Sequence, residues 1–183
     1  DIVAFETTPS MDIVIGEAGS AYRLPVSREE RSRGIRGPRM RDRYTRAILF
    51  VKPGLVIVYD RLVAREPSSF DYWLHAVNEF AIDDQHGVRV HAGDVGCDIN
   101  FLAPGDLTFQ QTNPNDPNPR PRIKLREWHL TATTPGRKRA VEFVTLYRPR
   151  RARDKVVAGA RLTKVEGGYA LRAELEDGHV VAL

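Results

Sequence analysis

Short apolar runs, some alternating and some continuous, recur along the whole chain and are cut apart by turn dipeptides. No stretch of useful length carries apolar residues at helical spacing between proper caps. The pattern predicts an all-β fold, an antiparallel β-sandwich of many short strands. The expected strands are Ile2–Glu6, Met11–Ile15, Ala21–Val26, Arg43–Lys52, Leu55–Ala64, Ser69–Val77, Glu79–Ile82 and Val88–His91, then Val95–Leu102, Leu107–Gln110, Arg122–Thr131, Arg139–Tyr147, Ala158–Glu166, Tyr169–Leu175 and His179–Ala182. Turn signals separate them at Lys52–Pro53–Gly54, Glu66–Pro67–Ser68, Pro104–Gly105–Asp106, Pro135–Gly136, Gly167–Gly168 and Asp177–Gly178. The last of these suits a two-residue hairpin closing the chain. The proline-spaced run from Thr112 to Pro121 can form neither helix nor ladder and reads as a surface loop.

A length of 183 residues suits one domain, residues 1–183, and no apolar run approaches the roughly 20 residues of a membrane helix. The lone Cys97 cannot form an internal disulfide, so the redox compartment is open. Two strand-like runs start almost at Asp1, without an initiator methionine or a leader, which suggests a piece of a longer protein. The net charge is +4 and its positive part is mostly arginine, 23 Arg against five Lys. Nine arginines fall between Arg23 and Arg46, and Arg148, Arg150, Arg151 and Arg153 form a second cluster. Arginine clusters suit carboxylate, sulfate or phosphate groups, with an arginine-rich composition or a solvated loop as the plain alternatives.

The two runs Arg46–Val51 and Leu55–Tyr59 are apolar at consecutive positions, so both faces of this hairpin need cover. One face should meet the second sheet of the sandwich. The other calls for a further layer, a partner domain or a concave surface roofed by loops. Asp60 at the end of the second run reads as half of an ion pair with Arg61 or Arg65. In the next strand, alternation puts Phe70, Tyr72, Leu74 and Ala76 on the core face, and Asp71, Trp73, His75 and Val77 on the other. Trp73, His75 and Asp71 together could stack a sugar ring and hydrogen-bond its hydroxyls, or form an ordinary half-exposed strand surface. No residue is assigned a catalytic role on this basis, and His75 is the one candidate for it.

The stretch "RAILFVKPGLVIVYDRLVA" followed by "PSSFDYWLHAV", Arg46 to Val77, resembles the C-terminal β-sandwich of heparinase II/III-like polysaccharide lyases. The upstream "GEAGSAYRL" and the closing "EDGHVVAL" are similar to that family's preceding strand and last hairpin. The resemblance implies a parent lyase that cleaves uronate-containing polysaccharides by β-elimination, periplasmic or secreted, with an α/α toroid upstream. The elimination needs neutralisation of the C5 carboxylate, a base for the C5 proton and an acid for the leaving oxygen. In that family tyrosine and histidine serve as base and acid, largely on the toroid, and a divalent metal sits in a His/Asp site early in the sandwich. Those motifs are absent from this sequence, so it is expected to be the distal part of the sandwich, inactive alone, with no cofactor or metal of its own. Arg43, Arg46, Trp73 and His75 are the expected substrate contacts, and the acidic polysaccharide and the upstream domain are the expected partners.

Other chemistries have less support. His86 and His91, with Asp83, Asp84, Asp94 and Cys97 nearby, could suggest a metal, but the five-residue offset sets the two imidazoles on opposite faces of one strand. Trp128 and His129 lie on an alternating strand and read as core edge. No phosphate loop, dinucleotide fingerprint, nucleophile elbow or paired Cys-x-x-Cys occurs. A non-catalytic module that holds an acidic glycan through Trp73, Trp128 and arginines is the alternative function. Nucleic-acid binding, prompted by a pI of 9.4, ranks last because basic and aromatic residues do not interleave in a recognisable motif.

Overall fold

The computed structural model describes residues 1–83, 87–114, 122, 127–154, 157, 159–175 and 178–182. Antiparallel strands dominate. The strands are β1 (Ile2–Thr7), β2 (Met11–Glu17), β3 (Arg41–Val51), β4 (Leu55–Ser68), β5 (Asp71–Ala76), β6 (Ala81–Ile82) and β7 (Gly87–Ala92), followed by β8 (Val95–Ala103), β9 (Thr108–Thr112), β10 (Trp128–Thr133), β11 (Lys138–Arg151), β12 (Ala160–Val165), β13 (Gly168–Glu174) and β14 (Val180–Ala182). Eight of them form one sheet in the order β1-β2-β3-β4-β11-β8-β7-β6, and two three-stranded sheets, β5-β10-β9 and β12-β13-β14, complete the fold.

The doubly apolar hairpin explains the layering. On β4 and β11 the even-odd alternation divides the apolar residues between two clusters. Leu62, Ala64, Val141 and Phe143 face Phe70, Tyr72, Leu130 and Ala132 of the β5-β10-β9 side. Leu55, Ile57, Val144 and Leu146 face Leu171 and Ala173 of the β12-β13-β14 side. Each fully buried Leu or Phe in these layers contributes about 1.5–3 kcal/mol. At these positions both faces of β4 are therefore covered from within the chain, one of them by a third sheet, while Ile48 and Phe50 of β3 and Val56 and Val58 of β4 belong to neither cluster. At the sheet edge Ile2, Val3 and Phe5 of β1 stand open to solvent.

Several local expectations are corrected. Ala21–Val26 is no strand; a short 3-10 turn at Gly19–Ala21 precedes an extended stretch held by the bridge between Arg23 and Arg39 and by the Arg23 guanidinium, which donates to Gly37 O at 2.9 Å. A one-turn helix, α1 (Arg28–Ser32), follows, closed by a capping box in which Ser27 and Glu30 hydrogen-bond reciprocally. The strand expected over Arg122–Thr131 is observed as Trp128–Thr133, and 123–126 lie outside the described residues. Leu175 N–H donates to His179 O beside the last hairpin, and Gly178 has φ 83°, where a bulky residue would be strained; positions 176 and 177, with Asp177 of the expected turn, lie outside the described residues. Most of the expected loop from Thr112 to Pro121, and His86 and Asp84 of the rejected metal set, fall outside the described residues.

Asp60 is buried as expected of an ion-pair carboxylate, but its partner is neither Arg61 nor Arg65. The Arg46 guanidinium grips it with Nε at 2.7 Å and Nη2 at 2.8 Å, because Arg46 and Asp60 are directly opposite on β3 and β4. Arg61 instead approaches Glu142, and Arg65 donates to Asp42.

Candidate functional site

The small sheet β5-β10-β9 turns one face to the core and the other to solvent. On β5, Tyr72 is buried while Asp71, Trp73 and His75 point outward, as alternation requires. Antiparallel register sets His129 of β10 opposite His75, Thr131 opposite Trp73, and Thr133 opposite Asp71; on the far side Thr112, Gln110 and Thr108 of β9 continue the same three rows. The outer face is thus a polar and aromatic grid of three cross-strand rows.

Its centre is the pair of imidazoles. The rings of His75 and His129 are 4.3 Å apart, with the Trp73 ring 6.3 Å from the first and 6.2 Å from the second. Glu127, one residue before β10, brings its carboxylate over both: Oε1 lies 3.1 Å from His75 Nδ1 and 3.4 Å from His129 Nε2. These contacts, first the one to His75 and then the one to His129, hold the Glu127 carboxyl below the ordinary carboxylate range. His129 Nε2 is shut off from solvent and forms no hydrogen bond of good geometry, whereas the His75 and Glu127 side chains are half exposed. At the other end of the face Thr133 donates its hydroxyl to Asp71 at 2.8 Å.

An exposed indole beside two imidazoles and a row of threonine and glutamine side chains can hold a flat ring by stacking and by hydrogen bonds at its edge.

Of the four expected substrate contacts, Trp73 and His75 are brought together here. Arg43 and Arg46 lie on β3 of the large sheet, and three positions along a strand set them on opposite faces. Arg46 is engaged by Asp60 and lies against the rings of Tyr44 and Tyr72, while Arg43 is exposed. His129 and Glu127 were missed by the sequence reading. Trp128 does pack on the core, as core-edge placement predicts, but the same alternation turns its neighbour His129 outward onto the face of His75.

Arg148, Arg150 and Arg151 of the second arginine cluster belong to β11, and Arg153 follows its end. Arg148 is buried, donating to Asn100 Oδ1 at 3.2 Å and to Gly159 O at 2.9 Å, and desolvation lowers its pKa. Arg150 pairs with Asp98, and Arg151 approaches Asp94. Around Arg148 and Asp98, a cavity of about 200 Å³ opens toward Lys52, Pro53 and Val157. Cys97 is half-buried, and burial pushes its thiol up to about 11, so it is a poor nucleophile at neutral pH. Among the described residues no helix is long and apolar enough to cross a membrane.

No family model and no curated protein sequence matches the chain. Solved structures do share its fold. A heparan sulfate lyase from Pedobacter heparinus superposes with a TM-score of 0.65 at 12% identity, over 100% of this chain and 27% of the other. A heparinase III gene product gives 0.69 at 11% identity, with 100% and 27% covered. A further heparinase III structure gives 0.66 at 12% identity, with 100% and 26% covered. The chain therefore spans about a quarter of the length of these structures, and the likeness establishes a shared β-sandwich architecture.

Proposed function

We propose that this chain is the β-sandwich portion of a heparinase II/III-like polysaccharide lyase, and that it contributes architecture and substrate contacts rather than a complete active centre. The observation that carries this reading is the superposition of the entire chain on about a quarter of several heparinase III structures. The stretch Arg46–Val77, whose residues resemble that family, supplies the central β3-β4 hairpin and the strand that bears Trp73 and His75. The substrate class is an acidic, uronate-containing polysaccharide, cleaved by β-elimination in a periplasmic or secreted parent protein. The upstream toroid would supply the base and acid, and a divalent metal would be held by residues upstream.

Within this reading the chain's own residues bind. Trp73 offers the stacking surface, with His75 and the threonines of β10 beside it to receive hydroxyl hydrogen bonds. Arg43 supplies a mobile cation for carboxylate or sulfate. Arg46, on β3 and apart from Trp73, is already paired with Asp60 but keeps enough exposure to offer its remaining donor to an anion there.

The test incubates the 183-residue chain with heparin, heparan sulfate, alginate and hyaluronan, following the ultraviolet absorbance of unsaturated uronate products and, separately, binding. The expected result is no new absorbance, together with salt-sensitive binding to at least one uronate polymer that Trp73→Ala weakens and that single-stranded DNA displaces poorly. Absorbance that grows, and that His75→Ala abolishes, would make the chain a catalyst in its own right. Failure to bind any uronate polymer would leave it a purely architectural unit and overturn the contact assignment.

A further inference from the structure

The outer face of β5 and β10 holds the makings of a site that stacking does not use. His75 and His129 occupy opposed positions on paired strands, where Cβ atoms lie about 4.5–5.5 Å apart, and Glu127 overhangs both rings. One ligand atom from each of His75, Glu127 and His129 lies within 4.8 Å of the other two. Two of the separations, 3.1 and 3.4 Å, match the edge of about 3.3 Å expected for a tetrahedron around a zinc ion with ligands at about 2.0–2.1 Å. The third is no longer than 4.8 Å, and the His75 ring that sets it is half exposed. Independently, His129 Nε2 is shielded from solvent and lacks a well-formed hydrogen bond, a state that native proteins avoid unless the atom has another partner.

We propose that His75, Glu127 and His129 bind a borderline divalent metal ion, Zn²⁺ foremost, with its fourth position open to solvent. Two imidazole nitrogens and one carboxylate select Zn²⁺ and its neighbours over Ca²⁺ or Mg²⁺, which want oxygen ligands throughout. Coordination would give the lone pair of His129 Nε2 its partner and would tie the segment entering β10 to β5, fixing the rings beside Trp73. The residues are distinct from the upstream His/Asp set that the family resemblance implies, and nothing in the proposal depends on the parent being a lyase. The open position, beside the indole, would carry a water molecule or an anionic group of a bound molecule.

The test strips the 183-residue chain with EDTA and titrates Zn²⁺ by calorimetry and by competition with a chromophoric chelator. The expected result is one ion per chain, with affinity reduced at least tenfold in His75→Ala, in Glu127→Gln and in His129→Gln, while Ca²⁺ fails to compete. His75 and Glu127 are half exposed, so their variants keep the fold, which far-ultraviolet circular dichroism checks. Co²⁺ in place of Zn²⁺ should give visible bands without a thiolate charge-transfer band. The absence of a stoichiometric ion, affinity unchanged in the His75 and Glu127 variants, or a thiolate band from Cys97 would each overturn the assignment. Polysaccharide binding by the stripped chain is read separately, so loss of one reading leaves the other standing.

Discussion

At the scale of single residues, the Arg46–Asp60 pair shows how a charge can be placed inside a sandwich. Asp60 is 1% exposed, while the Arg46 side chain is 42% exposed, so the arginine carries the hydration of the pair and the carboxylate carries its burial. Asp60 is the largest single reason that the Arg46 guanidinium is held above its ordinary pKa. Removing Arg46 strands a buried carboxylate, whereas removing the charge of Asp60 leaves a half-exposed guanidinium that water can serve. Arg46→Ala should therefore cost about 1.5–3 kcal/mol in urea-induced unfolding, the range for hydrogen bonds to charged groups with screening at the exposed side, and Asp60→Asn in the Arg46→Ala background should recover part of it. An Arg46→Ala variant as stable as the parent would show the pair to be ornamental. The sequence exposed Asp60 as a structural carboxylate because a charge ends an apolar run. Its partner was illegible, because cross-strand register pairs residues 14 positions apart and local charge neighbours such as Arg61 point elsewhere.

At the scale of elements, legibility follows periodicity. β4, β5, β8 and β11 were readable because alternation or continuous apolar character extends over a whole strand, and the faces of Trp73 and His75 followed from β5 alone. The five-residue α1 was not, since one turn has no apolar period and only its Ser27-x-x-Glu30 capping box signals it. The partnership of His75 with His129 needed the β5-β10 register, and the strands are separated by more than 50 residues of sequence. The same register makes the two faces of the small sheet energetically unequal. Leu130 on β10 is 0% exposed within the core, so Leu130→Ala should cost about 2–5 kcal/mol. Trp73→Ala on the outer face should change stability by about 0.5 kcal/mol or less while weakening glycan binding. Denaturant midpoints of the two variants check the contrast; similar losses for both would mean that the outer face packs against something.

At the scale of the whole molecule, the three-sheet arrangement buries or half-buries phenols around the β3-β4-β11 interior, and this ties the fold to alkaline pH. Tyr72 and Tyr147 share a hydroxyl contact of 2.6 Å under the small sheet, and both are raised above the ordinary phenol range, chiefly by desolvation. Tyr44 beside Arg46 is raised for the same leading reason. On the opposite face Tyr59 donates to Glu142, and burial followed by that hydrogen bond pushes it from 10.0 up to about 12. A phenol is neutral when protonated, so a raised folded value means that above pH 10 the unfolded chain has given up protons that the native chain keeps. Stability should therefore be insensitive to these groups below pH 10, fall as pH rises past it, and for Tyr59 stop falling near pH 12, while the more strongly raised Tyr44 and Tyr147 extend the loss further. Thermal unfolding followed by circular dichroism from neutral to strongly alkaline pH checks the slope, and tyrosinate absorbance of the native chain checks its origin. Tyr59→Phe, which keeps the ring against Tyr169 and removes the ionisable group, should flatten the portion between pH 10 and about 12. If the native tyrosines ionise together near 10, or if the slope in that window is the same with phenylalanine at position 59, the interior phenols do not set the alkaline limit of this fold.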